Sequence, residues 1–275
     1  MNKTLLLLII IFSFVIHGCA KNQNIKEVET NIIKENPEIM YQVAMKDLQD
    51  EKYDLALKKF KDLNFKFPLS NEAVKSQMMM GFIEYINLNY DEAIFIFDQL
   101  INKFPSHKDI DYVFYMKAIC YYEQIESEEL DGYYNIKSLE SFKQVINRFP
   151  SSEYFQDSNQ KVIAVKENIA AKEMNIGLFY LERKKYLAAM NRFKKVIDKY
   201  DTSKFVPEAL YRLVETYYSL GMYDDAKKTA STISYNYPNS KWYKYSYDLL
   251  TEEKNNKSSI LKKISNMINK NDREE

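Results

Sequence analysis

Groups that usually carry chemistry are few and scattered in this 275-residue chain. Cys19, Cys120, His17 and His107 are the whole supply of soft metal ligands. There is no G-x-S-x-G elbow, Gly-rich phosphate loop or H-E-x-x-H pair, so no nucleophile stands at a spacing that would bring a base to it. The expectation is that the chain is not an enzyme and uses no cofactor and no metal. Lys and Arg number 39 against 39 Asp and Glu, without a basic stripe, so nucleic acid is excluded as a partner. What the chain has in quantity is 23 Tyr, 16 Phe and 11 Met, residues suited to adaptable apolar contact.

Cys19 alone has a chemical context. Lys3 supplies a positive start, Leu5 to Ile16 is a run of twelve that is apolar but for Ser13, and Ile16-His17-Gly18-Cys19 places a small residue directly before the thiol. Twelve residues fall short of the roughly 20 that a spanning helix needs. Residues 1–18 therefore read as a cleaved signal peptide rather than an uncleaved anchor with an incidental cysteine. The segment resembles bacterial lipoprotein precursors, which implies a lipidated Cys19 as the mature N-terminus. Ala20 in place of Asp implies sorting onward to the outer membrane. Acylation of Cys19 would leave Cys120 without a disulfide partner. Within YVFYMKAICYYE, Cys120 reads as a small buried apolar residue. Residues 19–36 are the lipidated cysteine and a polar tether.

The elements that position everything else recur. Tyr186 to Tyr200 reads YLAAMNRFKKVIDKY: an aromatic, a small residue (Ala189) three later, Phe193 four beyond it, then a helix end. Tyr53, Ala56, Phe60 and Pro68 repeat this grammar, as do Tyr90, Ala93, Phe97 and Pro105. Tyr134, Ser138, Phe142 and Pro150 form a looser copy, and Tyr223, Ala226, Ala230 and Pro238 a fifth. Tyr53 to Tyr90, Pro68 to Pro105 and Tyr186 to Tyr223 are each 37 residues apart, near the tetratricopeptide period of about 34. A small residue lets two helices cross closely, Phe fills the space one turn on, and Pro forces the next turn. The fold class is all-α, a tetratricopeptide-repeat helical-hairpin solenoid of about five repeats over 37–250. The repeats fall near 37–69, 74–107, 111–151, 166–203 and 207–240, followed by a capping helix over 241–250.

Three segments depart from the plain array. Residues 123–133 are acidic, longer than a hairpin turn and contain Gly132, and read as a surface loop or a docking loop. Ser152 to Arg183 lacks Pro and carries Phe155, Val162, Val165, Ile169 and Leu178 at helical spacing, which predicts one long helix shared by repeats three and four. The tail 251–275 holds five lysines and no acid between Lys254 and Asn271. Ile260, Leu261, Ile264, Met267 and Ile268 share one face there, so the tail reads as a basic amphipathic helix, favoured as a cap or a contact for another subunit over lipid.

In tetratricopeptide arrays the first helix of each hairpin lines the concave face. Register places Tyr41, Met45 and Leu48 there, then Lys75, Met78, Phe82 and Tyr85, then Tyr112, Tyr115, Ile119 and Tyr122. The register admits a one-residue exchange of Met78 for Met79. So many Met and aromatic residues on a solvent-facing groove imply a binding surface. The alternative is that these side chains face the partner helix.

YLAAMNRFKKVI, VPEALYRLVETYYSLGMYDDA and YPNSKWYKYSYDLL resemble the C-terminal half of the BamD family, lipoproteins of the β-barrel assembly machinery. With the repeats and the N-terminal cysteine, the likeness covers nearly the whole mature chain to Leu250; the longer loop and the tail depart from it. The resemblance implies a lipid-anchored adaptor on the periplasmic face of the cell outer membrane. Its partners would be a BamA-type barrel protein, other assembly-machinery lipoproteins and unfolded outer-membrane protein C-terminal segments. The C-terminal half would dock the BamA-type partner, with Arg183, Arg192 and Arg212 as candidates because guanidinium matches carboxylates; Arg192 could instead pair within the array. The groove would take a client's final strand, with Lys75 receiving its carboxylate. Another lipid-anchored scaffold, such as a secretin pilotin or envelope coordinator, is the alternative. A peptidoglycan enzyme with helical repeats is disfavoured by the empty catalytic inventory.

Overall fold

The computed structural model describes residues 36–125 and 132–251. The leader with Cys19, most of the 123–133 loop and the tail beyond 251 lie outside the described residues. Every regular element among the described residues is an α-helix: α1 Pro37–Gln49, α2 Tyr53–Lys66, α3 Asn71–Ile86, α4 Tyr90–Lys103, α5 Ile110–Glu123, α6 Tyr133–Arg148, α7 Phe155–Glu182, α8 Tyr186–Lys199, α9 Val206–Ser219 and α10 Tyr223–Asn236, then α11 over 241–251. The chain forms two compact units, Met1–Cys120 and Tyr121–Glu275.

In the first unit α1 packs on α2, α2 on α3 and α3 on α4, and α1 also touches α3. In the second, α7 is packed on both α6 and α8, and the succession continues from α8 to α9 and α10. The long helix expected over Ser152 to Arg183 is α7, 28 residues, so one helix carries two packing faces in sequence.

Turns of two kinds set this alternation. Inside four hairpins the first helix ends in a left-handed residue: Glu51 (φ 59°), Leu88 (φ 63°), Lys184 (φ 56°) and Gly221 (φ 73°). The N–H of the next residue then reaches back to satisfy a late carbonyl, as in Lys52 to Asp47 at 2.8 Å and Lys185 to Tyr180 at 2.9 Å. This double closure is the Schellman arrangement. Between hairpins, Phe67, Phe104, Phe149, Tyr200 and Tyr237 each accept a hydrogen bond from the residue three on, at 2.9–3.1 Å. Pro follows four of these aromatics directly and cannot extend the helix before it.

The core is the repeated grammar made solid. Ala56, Ala93, Ala189 and Ala226 are fully buried, and so are Phe60, Phe97, Phe142 and Phe193. Each buried Phe contributes several kcal/mol, on the order of 3–5 on truncation to Ala. Cys120 is buried, in keeping with its apolar context. Helix α11 begins in the same turn register as α3, yet it exposes Lys244 and Asp248 where α3 buries Val74 and Met78. A polar face there is what a capping helix would present.

Candidate functional site

Two surfaces hold the residues singled out in the sequence. In the first unit, Tyr41 and Met45 are half-buried and pack with Leu48 on a core of Ala44, Ala56, Phe60 and Ile83. The Tyr41 ring lies 5.8 Å from that of Phe60. Burial, and then the nearby charges of Glu38 and Asp109, push the Tyr41 phenol above its ordinary value. Lys75 places its Nζ 5.8 Å over the Tyr41 ring and forms no ion pair among the described residues, so its charge remains available to an anion. Phe82 and Tyr85 are half-buried and stack at 6.3 Å, and Tyr85 meets Tyr90 at 5.9 Å. Met78 and Ile119, by contrast, are only 3% and 7% exposed. They belong to the interior of the helix pairs, while their neighbours Met79 and Tyr115 are half-buried. The sequence register sets Met78 and Ile119 on the groove face; a shift of one residue, about 100° around the helix, turns them into the contact between packed helices instead. Tyr122 belongs to the second unit, where it meets Phe142 at 6.1 Å and carries Lys161 Nζ 4.4 Å over its ring.

The three arginines prove to be tied in three different ways. Arg183 is exposed, lies 3.5 Å over the Phe179 ring and donates to the Phe179 carbonyl at 3.3 Å. Arg192 donates to Glu173 at 2.9 Å, and Lys195 donates to the same carboxylate at 2.6 Å. Arg192 is thus paired within the array, with part of its guanidinium side chain still exposed. Burial works to raise the pKa of Glu173, but hydrogen bonds from Lys195 and Arg192 outweigh it and hold the carboxyl below its ordinary value. Beside this cluster a depression of about 300 Å³ is lined by Tyr180, Ala188, Asn191, Arg192 and Lys195. Arg212 is braced along its own helix by Glu215 at 3.0 Å and Glu208 at 3.5 Å. Its guanidinium lies 5.3 Å over Tyr211 and 5.6 Å over Trp242.

Sequence reasoning missed two parts of this surface. One is the aromatic cluster, in which Tyr211 stacks on Trp242 at 5.4 Å and Tyr245 stands 5.8 and 5.7 Å from the two. Its members lie on α9 and α11, with no short-range pattern to join them. The other is Glu173, which is 19 and 22 residues from its cationic partners. Only the placement of Arg192 and Lys195 three apart on one helix face hinted at a shared counter-ion.

Among the described residues no group of three or more His, Cys, Asp and Glu side chains is arranged to hold a metal ion. No described helix is long and apolar enough to cross a membrane. Repeated helical hairpins presenting aromatic and cationic surfaces define a tetratricopeptide-repeat protein. The model of the YfiO family, described as outer membrane lipoprotein, matches residues 34–233, and the chain belongs to that family, the BamD family of the resemblance. It is 37% identical over 251 residues to the outer membrane protein assembly factor BamD of Rickettsia prowazekii (strain Madrid E), spanning 91% of this chain and 98% of that one. With the BamD of Caulobacter vibrioides it is 35% identical over 236 residues, 86% and 76% of the two chains. A thermophilic tetratricopeptide-repeat protein of Thermus thermophilus superposes with a TM-score of 0.35 at 17% identity, covering 78% of this chain and 100% of that one.

Proposed function

We propose that this protein is a lipid-anchored adaptor of the β-barrel assembly machinery on the periplasmic face of the outer membrane, with no catalytic activity of its own. The carrying observation is the 37% identity that spans nearly the whole of a relative named as an outer membrane protein assembly factor. Triacylated Cys19 would attach it, since stable anchoring takes more than one acyl chain. Its C-terminal unit docks a BamA-type barrel protein. Its N-terminal unit takes the final segments of unfolded outer-membrane proteins along Tyr41, Met45, Lys75, Phe82, Tyr85 and Tyr115. The half-buried aromatics and the cation at Lys75 support that assignment: an extended strand with an apolar side and a terminal carboxylate meets both.

Crosslinking and pulldown from native envelopes tests the adaptor reading. A BamA-type barrel protein is expected in the eluate; a secretin in its place would overturn the reading. Charge reversal of Arg183, Arg192 and Arg212, each checked for retained helicity, is expected to weaken that copurification. Full recovery with all three variants would move the interface elsewhere. Phe82→Ala with Tyr115→Ala should reduce binding of a peptide copied from a barrel protein's C-terminus while partner recovery stays intact. Full-strength peptide binding by the folded double variant would remove the groove.

A further inference from the structure

In the first unit α1 and α3 begin side by side: Lys75, near the start of α3, holds its Nζ 5.8 Å over the ring of Tyr41, near the start of α1. The turn before α3 meets the turn before α5, where His107 Nε2 stands 3.0 Å from Asn71 Oδ1. Asn64, in the last turn of α2, accepts from Gln77 of α3 at 2.9 Å. Asn36, the end of α2 and these two turns therefore share one edge, and Asn36 is where the described chain begins. Phe65 and Leu69 stand at that edge, 86% and 97% exposed. A lone exposed leucine signifies nothing, but the repeats supply a control. Two residues after the aromatic that ends each second helix, where this hairpin has Leu69, the others have Ser106, Ser151, Thr202 and Asn239. Two residues before it, where this one has Phe65, they have Asn102, Asn147, Asp198 and Tyr235. Among the described hairpins, only the one next to the N-terminal segment is apolar at both positions.

We propose that this edge rests on the bilayer, with Phe65 and Leu69 entering the boundary between headgroups and acyl chains. The inference rests on the reading of Cys19 as a lipid anchor and adds to it a second contact made by the protein itself. Seventeen residues separate Cys19 from Asn36 and reach at most about 60 Å, so an anchored chain keeps this edge within range of the membrane. A protein partner would need something else to bring it here, whereas the bilayer is already brought by the lipid. Lys61 and Lys66 are exposed on either side of Phe65. Lys66 pairs with Asp62 at 3.3 Å, an exposed pair of a kind that contributes little. Both lysine stems can therefore lie along the apolar boundary with their ammonium groups among lipid phosphates. Phe and Leu beside Lys are the side chains of surfaces that lie in this interface. The acyl chains supply the affinity, and the edge sets the orientation: the Lys75 end of the groove faces the bilayer.

The test uses the lipidated chain reconstituted in vesicles of phosphatidylethanolamine and phosphatidylglycerol, with the acyl chains brominated in parallel samples. Trp242 is the chain's one tryptophan, so the emission of the natural chain can be subtracted from that of Phe65→Trp and of Leu69→Trp. Both positions are exposed, and the substitutions leave the core as it is. Both new signals are expected to shift to the blue and to be quenched several-fold by the brominated chains. Leu88→Trp, in the turn between α3 and α4 at the opposite edge, should stay unquenched. Blue-shifted signals that bromine does not reach would mean that the N-terminal segment covers the edge. Signals from positions 65 and 69 that remain open to aqueous acrylamide would leave the edge to a protein partner. Either result, in a chain that still floats with the vesicles, keeps the lipid anchor and overturns the present inference alone. Equal quenching at positions 65 and 88 would mean contact without orientation and would overturn it too. A chain that does not float removes the anchor, and the inference falls with it.

Discussion

A Cβ added to Gly81 would stand 2.5 Å from Cε1 of Phe97, and one added to Gly177 would stand 2.5 Å from Cε1 of Phe193. In each case the glycine lies on the first helix of a hairpin and the phenylalanine, fully buried, on the second. The two helices approach so closely that the ring occupies the volume a methyl group would take. The relation recurs in both units, at the same place in the hairpin.

Gly81→Ala and Gly177→Ala should each destabilise the protein by about 1–3 kcal/mol, because a fully packed ring has no room to yield. The substitution gains up to about 1 kcal/mol in helix propensity, and the clash outweighs it. Gly132→Ala, whose Cβ would meet nothing nearer than Lys172 Nζ at 3.9 Å, serves as the control. Urea unfolding decides the matter: equal or higher midpoints for the Gly81 and Gly177 variants would mean that the ring moves aside freely.

The left-handed turns make a prediction of opposite sign. Leu88, at φ 63° and 69% exposed, occupies a conformation that Gly221 adopts without cost in its own hairpin. Left-handed backbone costs an L-residue roughly 1–2 kcal/mol, partly offset by the entropy that glycine adds to the unfolded chain. Leu88→Gly should therefore stabilise by a few tenths to about 1 kcal/mol, and Gly221→Leu should destabilise by a similar amount. Paired thermal melts that moved in the other direction would contradict this account of the turns.

Glu173 gives the fold a defined acid sensitivity. Its folded pKa is lowered by Lys195 and Arg192, so its stabilisation is complete above the unfolded carboxylate value near 4.3. That stabilisation is lost as pH falls through the lower folded value. The stability gap between the natural chain and Glu173→Gln should be widest at neutral pH and should close below about pH 4. A gap that stays constant down to pH 3 would show that the two cations do not depend on this charge.

The proposed anchor yields the simplest fractionation experiment. Cys19→Ser should release the chain from the outer membrane or leave it unprocessed, since each buried CH₂ of an acyl chain holds by about 0.8 kcal/mol. Retention in the outer-membrane fraction, with assembly partners removed, would sink the lipoprotein reading.

Much of the architecture was legible because it is local. The spacing of Tyr53, Ala56 and Phe60 and its copies sets which face of each helix is small and which is bulky, and a 37-residue recurrence admits little besides stacked hairpins. Pro after Phe67, Phe104, Phe149 and Tyr237 marks helix ends for a steric reason that needs no neighbours. The absence of Pro and Gly from Ser152 to Ile176 likewise permits α7 to run on. The family, too, was readable from YLAAMNRFKKVI and the segments after it. Three matters were left to the tertiary structure. Which of Met78 and Met79 turns inward depends on how tightly α3 closes on its neighbours, since one residue of register rotates a side chain by about 100°. Whether Arg192 stands ready or is already paired depends on Glu173, 19 residues away on another helix. The stacking of Tyr211 on Trp242 depends on α11 folding back beside α9. Backbone periodicity fixes faces, but ion pairs and ring stacks between helices are decided by distances that no spacing along the chain encodes.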